Sequence, residues 1–469
     1  MDHSSQPIFS FINLTHPDEL KDEETQSRIR RLAMTEVGRK RRKPKTKRGR
    51  NEIILEFRDI PISQSHAPFE RIGSGEVDPF VSYPIHLDEK SRALVVNIFR
   101  KNGSHSTILR GSWWPVALSN AAAFHTALSS SQLYICMNIN QSYVFSDDAT
   151  SLEHHSRALK LVNEMMNDPT KHTTNELLGA VAAFMCHDYI MGGFDSWGRH
   201  RTALSRMIEL RGGVDTVTGE QLRITLSWCD LTGAFSQDIP TIFPMPRQWE
   251  ADSRSPPSSP RPESEISLRW KQWFPTKQDW ISIFDDVTQL ISLDRALTDQ
   301  QFKEATASGC WMEPTIVRLL SIRPLQHSSD KENVLEEICR IGTLLFLAPI
   351  WRALGASPVW TNALLKNLLW TLNNHISEWA DLRPLLAWTI YFAAIETSDP
   401  SERAQFVFFL AVLMTGARMK EWDELMYHIK SVLWVENIFA GRDTIIREEV
   451  MSLLTRSPSA EPMIEEVDA

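Results

Sequence analysis

The chain has 469 residues, a formal net charge of −9 and 42% hydrophobic residues, enough to bury a substantial core as two or three domains or one large helical body. Its five cysteines (Cys136, Cys186, Cys229, Cys310 and Cys339) are odd in number, contain no CxxC pair and never lie closer than 29 residues apart. That pattern points to a reducing compartment, excludes a cysteine zinc cluster, and makes each thiol a small buried hydrophobe.

The opening MDHSSQPIFSFINLTHPDEL has no cationic start followed by an apolar run, so no secretory signal is expected. The sequons at Asn13, Asn102 and Asn140 are then accidental. Residues 1–84 read as a mostly disordered arm, acidic at first through DELKDEE and then densely basic. In RIRRLAMTEVGRKRRKPKTKRGR, residues 28–50, twelve of twenty-three residues are Lys or Arg and Glu36 is the single acid. The segment therefore carries +11, and the remainder of the chain sums to −20. Its first half places Ile29, Leu32, Ala33 and Val37 at helical spacing, whereas Pro44 and Gly49 oppose a helix beyond Lys43.

Helical periodicity begins near Asp88. Residues 85–239 read as the first helical half of the body. Ser151–Asn167 puts Leu152, Leu159, Val162 and Met166 on one face. A helix reaching Met191 opens with Thr173 and Glu176 as a capping box and runs its apolar face through Leu177, Val181, Phe184 and Met185. Ser196–Arg211 carries Ala203, Leu204, Met207 and Ile208, then stops at Gly212-Gly213.

Residues 240–266 are Pro- and Ser-rich and read as a linker or long loop, with Ser-Pro pairs at Ser255 and Ser259. A second helical half, 267–457, is expected to contain helices near Lys277–Leu297, Val334–Leu354, Asn362–Trp379, Leu382–Ile395, Glu402–Thr415 and Trp422–Phe439. A disordered tail, 458–469, follows. Strand alternation is nearly absent, so the predicted fold class is all-α, a large body of antiparallel helix pairs. The most apolar stretches, IGTLLFLAPIW and AQFVFFLAVLM, are eleven residues long, and a membrane span needs about 20. A soluble protein with no membrane partner is expected.

Enzyme motifs are missing: no GxSxG, HExxH, Walker loop or GxGxxG occurs. Gly73-Ser74-Gly75 is followed by EVDPF and reads as a turn. His154 and His155 are adjacent on a helix and point about 100° apart, so they cannot easily share a metal. His187-Asp188 and His200 lie near one another in sequence, but nothing beside them supplies a nucleophile or a metal. No catalytic residue, metal ligand or cofactor is therefore expected.

Function is read from the basic segment. Arg39, Lys40, Arg41, Arg42, Lys43, Lys45, Lys47, Arg48 and Arg50 have the density of a nuclear-import signal. The same cations suit DNA phosphates, with strong salt dependence and little sequence choice. Reading bases requires a docked helix, which only RIRRLAMTEVGRK offers. A solvated tail without a partner is the third reading.

Three strings carry a resemblance. FINLTHPDELKDEETQSRIRRLAMTEVGRKRRK resembles the N-terminal signature of a large group of filamentous-fungal proteins, and IGSGEVDPFVSYPI resembles that group's next shared stretch. HHSRALKLVNEMMND and HRTALSRMIELRGGVDTV resemble the helical fungal-specific transcription factor domain, in which a His-x-x-Ala-Leu-x-x-Met helix ends in Gly-Gly. The resemblance is strongest over 9–84 and 148–216. It implies a nuclear regulator with an all-helical regulatory domain, binding protein partners, itself or a small effector. The related zinc-cluster regulators carry six cysteine ligands that have no counterpart here, so zinc and base-specific DNA reading are not implied. The alternative is a non-catalytic helical interaction protein with no direct DNA role.

Overall fold

The computed structural model describes residues 82–99, 109–140, 142–249, 264–294, 312–326, 328–375 and 379–456. Among them are seventeen α-helices and no strand. In chain order these are α1 Glu89–Phe99, α2 Arg110–Leu118, α3 Ala121–Asn140, α4 Ala149–Met166, α5 Asn175–Ile190, α6 Phe194–Arg211 and α7 Glu220–Gln237. Then come α8 Glu265–Trp273, α9 Asp279–Asp294, α10 Glu313–Ser321, α11 Lys331–Ala353, α12 Asn362–Asn374 and α13 Arg383–Glu396. The last four are α14 Pro400–Gly416, α15 Trp422–Val432, α16 Glu436–Phe439 and α17 Thr444–Arg456. None is long and apolar enough to cross a membrane.

Local chemistry sets many of the ends. Asp148, Thr174, Ser264, Asp330 and Asp399 each accept a backbone N–H of the first turn of the helix that follows, satisfying donors that have no intrahelical partner. Gly212 ends α6 in the left-handed region at φ 106°, and Gly213 N–H returns 2.9 Å to the Ile208 carbonyl. That wrap is open to a residue without a β-carbon.

Several expected boundaries move. Thr174, not Thr173, caps α5; the Thr173 carbonyl instead accepts Arg211 Nη1 at 3.0 Å, so Glu176 falls one position short of a capping box. The helix expected to reach Trp379 stops at Asn374, whose amide turns back to the Trp370 carbonyl at 2.8 Å. The helix expected over Trp422–Phe439 is two, because residues 433–435 are extended and Trp388 Nε1 takes the Leu433 carbonyl at 2.8 Å.

A larger correction concerns the buried face of α4. Leu152 (53%), Leu159 (40%) and Met166 (40%) are exposed, while Ser151, His154, Ala158 and Val162 are buried. Small and polar side chains win the packed side because α4 lies close against α3, where Ser151 Oγ meets Ser129 Oγ at 2.7 Å and His154 meets His125. Apolarity alone selects the wrong stripe.

The helices pack mainly with neighbours in sequence: α3 with α4 and α5, α5 with α6 and α7, α11 with α13, α13 with α14 and α15, and α14 with α17. α7 also meets α10 and α12, and one hydrophobic core runs from Leu109 to Val450. Within the Pro- and Ser-rich stretch, Asp230 on α7 accepts the Ile242 and Phe243 amides at 2.6 and 3.1 Å, and Trp249 is fully buried. Among the described residues, seven tryptophans, including Trp197, Trp270 and Trp351, are fully buried.

Trp197 shows how close the fit is. A β-carbon added at Gly233 on α7 would lie 2.0 Å from Trp197 Cε2. Gly233→Ala is expected to cost about 1–3 kcal/mol despite the better helix propensity of Ala. A urea melt of the full chain reads this as a lowered midpoint, and an unchanged midpoint would contradict the contact.

Candidate functional site

Arg39, Lys40, Arg41, Arg42, Lys43, Lys45, Lys47, Arg48 and Arg50 lie outside the described residues, as do Gly73-Ser74-Gly75 and most of the linker stretch. The described residues offer two features packed side by side: an apolar cavity and a histidine-lined seam.

The cavity lies among α2, α3, α5 and α7 and has a volume of ≈ 90 Å³. Trp113, Val116, Ala123, Tyr134, Ile190 and Trp228 form its apolar wall, with Ser130, Cys186 and Cys229 as polarisable groups. Gly179 stands where a β-carbon would meet Val116 Cγ1 at 2.8 Å, which lets α5 approach α2. Tyr134 Oη donates to the Ser357 carbonyl at 2.6 Å, Tyr189 Oη donates to the Pro358 carbonyl, and Trp360 Nε1 returns 2.9 Å to the Tyr189 carbonyl. These bonds fasten the 357–360 loop over α3 and α5. A hydrogen bond with Cys186, together with burial, pushes the Cys229 thiol up, so it stays protonated. Sites for drug-sized ligands run to roughly 300–1,000 Å³, so this cavity takes a small apolar group only.

The seam runs along α3, α4, α5 and α6. His125 and His154 face each other, Nδ1 to Nδ1, at 3.0 Å. Burial, then the neighbouring His154, pushes His125 down to about 4, so both rings are neutral at pH 7 and one donates to the other. Next along the seam, His155 and His187 lie with ring centroids 4.5 Å apart. Phe184 packs against His155 and stacks on His200. His200 Nδ1 pairs with Asp188 Oδ2 at 2.8 Å, so these two residues, near one another in sequence, are also in contact. No serine, cysteine or lysine nucleophile bonds to that pair among the described residues.

Sequence reasoning missed what surrounds His155. It set His155 apart from His154, which indeed points away to His125, but named no partner for His155. The fold instead brings His155 to His187, 32 residues on, and to Asp147 in the turn before α4. No spacing rule exposes that set, because its members come from three different segments.

Comparison with known proteins bears on the body that holds both features. A family model described as "Fungal specific transcription factor domain" matches residues 109–426. The chain belongs to that family. No curated protein and no solved structure matches it. The fungal-specific transcription factor domain thus covers α2 to α15, including cavity and seam. Membership suggests a role in transcription regulation.

Proposed function

We propose that this chain is a nuclear transcription regulator whose basic segment, 28–50, serves as its import element and contacts DNA phosphates. The observation that carries the reading is the family match over 109–426 joined to a segment of +11 on a chain of −9. Import receptors read dense runs of cations, which Arg39 through Lys43 supply. Phosphate contact without base reading leaves target choice to a protein partner or a second copy of the chain. The exposed Leu152, Leu159 and Met166 on α4 repeat every seven residues and give the helical body an apolar stripe suited to such a partner. The reading assigns it no enzymatic step and no cofactor.

The test is localisation of the fluorescently tagged full chain beside a variant with Arg39, Lys40, Arg41, Arg42 and Lys43 replaced by Ala. Nuclear signal is expected for the parent and is expected to disperse in the variant. Equal nuclear accumulation in both would remove the import role. A cytosolic parent would favour the helical interaction protein with no DNA role.

A further inference from the structure

Asp147, His155 and His187 are placed so that one ligand atom from each lies within 4.8 Å of the other two. They come from the turn between α3 and α4, from α4 and from α5, three segments that the core already holds in position. Two observations make this more than a chance cluster. First, His155 Nδ1 and His187 Nε2 are buried nitrogens without a hydrogen-bond partner. His187 Nε2 sits 3.1 Å from Asp147 Oδ1, at ion-pair distance. Leaving buried polar nitrogens unpaired is costly, and a shared electrophile removes the cost for both rings at once.

Second, the groups behind the three are arranged as supports. Ser130 Oγ lies 3.4 Å from His187 Nδ1, the nitrogen facing away from the cluster. Ser151 Oγ donates to Asp147 Oδ1, and Phe184 packs against the His155 ring. Residues that fix the far nitrogen of a histidine and one oxygen of a carboxylate are what a metal site needs to orient its ligands.

We propose that Asp147, His155 and His187 form a site for one divalent transition-metal ion of the zinc class. Two imidazoles and one carboxylate suit zinc and its neighbours, whereas calcium and magnesium require oxygen-rich shells. Three protein ligands leave the fourth tetrahedral position to water or an external donor. The Asp147 side chain is 15% exposed, so the ion reaches the site from the turn before α4.

Bound metal would fasten the turn before α4 to α5. It would also fix His187, whose partner Ser130 lines the cavity. This assignment is independent of the nuclear reading and adds a metal-responsive element to the regulatory body.

The experiment titrates the untagged, chelator-treated full chain with zinc by calorimetry, and with cobalt by its visible ligand-field absorption. The expected result is one ion per chain, a raised Tm with zinc, and absorption of a tetrahedral cobalt site. Asp147→Asn and His155→Gln, at partly exposed positions, are expected to weaken zinc about 10–100-fold, with helix content checked by circular dichroism. His172→Gln, at an exposed histidine elsewhere, is the control and is expected to change nothing. No ion bound, or equal affinity in Asp147→Asn, His155→Gln and the parent, would overturn the assignment. His187→Gln removes a fully buried ring, so its result counts only if its helix content matches the parent.

Discussion

Arg340→Met is expected to destabilise the full chain by about 3–5 kcal/mol, because it leaves buried Glu337 without its Arg340 partner and Asp238 with Arg323 as its remaining cation. The Arg340 guanidinium is fully buried on α11 and is held on two sides. It meets Asp238 at 2.7 and 2.9 Å through Nη1 and Nη2, and Glu337 at 2.8 and 2.6 Å through Nε and Nη2. Asp238 caps the end of α7 at φ 50° and also accepts Arg323 at 2.9 Å and Asn367 at 2.8 Å. The network therefore pins α7 to α11, α12 and the turn after α10. Burial alone would raise the Asp238 carboxyl, but Arg340 outweighs it and holds it below its ordinary value. A carboxyl depressed on folding contributes stability above its unfolded pKa and loses it as pH falls through the folded value. The network should accordingly weaken only in acid. Urea melts at pH 7 give the measurement. Adding Glu337→Gln to Arg340→Met is expected to recover part of the loss, since one stranded charge is then gone. A loss below about 1 kcal/mol would place the pair among exposed ion pairs of little consequence.

How much of this was legible in the sequence follows from which forces write a linear pattern. Helices α5 and α6 were readable because Leu177, Val181, Leu204 and Met207 repeat at helical spacing, and because Gly212 can take φ 106°. The all-α class followed from many such segments. Helix α4 misled because its buried face is built from Ser151, His154 and Ala158, chosen for close approach and hydrogen bonds. Helix α3 has the same character, with His125, Thr126, Ser129, Ser130 and Ser131 all buried. Pairs across the fold, such as Asp238 with Arg340 or His155 with His187, are 102 and 32 residues apart. Composition and periodicity carry no information about them. The candidate metal ligands were therefore out of reach although each residue was in view, while the basic segment, being contiguous, was plain.

Glu313 gives the second large effect, and its sign is opposite to that of Asp238. The residue opens α10 at 3% exposure, and among the described residues no cation bonds to its carboxyl. It accepts Trp351 Nε1 and the Met312 amide, both at 3.1 Å. Burial outweighs those bonds and pushes the carboxyl up from 4.5 to about 7. Below 4.5 both folded and unfolded chains hold the proton, and the group costs nothing. Between 4.5 and 7 the unfolded chain ionises first, so stability falls as pH rises; above 7 the cost is complete. One pKa unit corresponds to about 1.4 kcal/mol, so the whole cost is about 3 kcal/mol. Glu313→Gln cannot ionise and escapes it. Its amide also meets a donor that the carboxyl accepted, which adds an offset independent of pH, so the two pH values must be compared. Relative to the parent, the variant is expected to gain about 3 kcal/mol between pH 4.5 and pH 8, read from urea melts at both. Every other titrating group is common to the two chains and cancels. A difference that stays constant with pH would mean that Glu313 is already ionised in the folded protein at pH 5, with water reaching it beside Trp351.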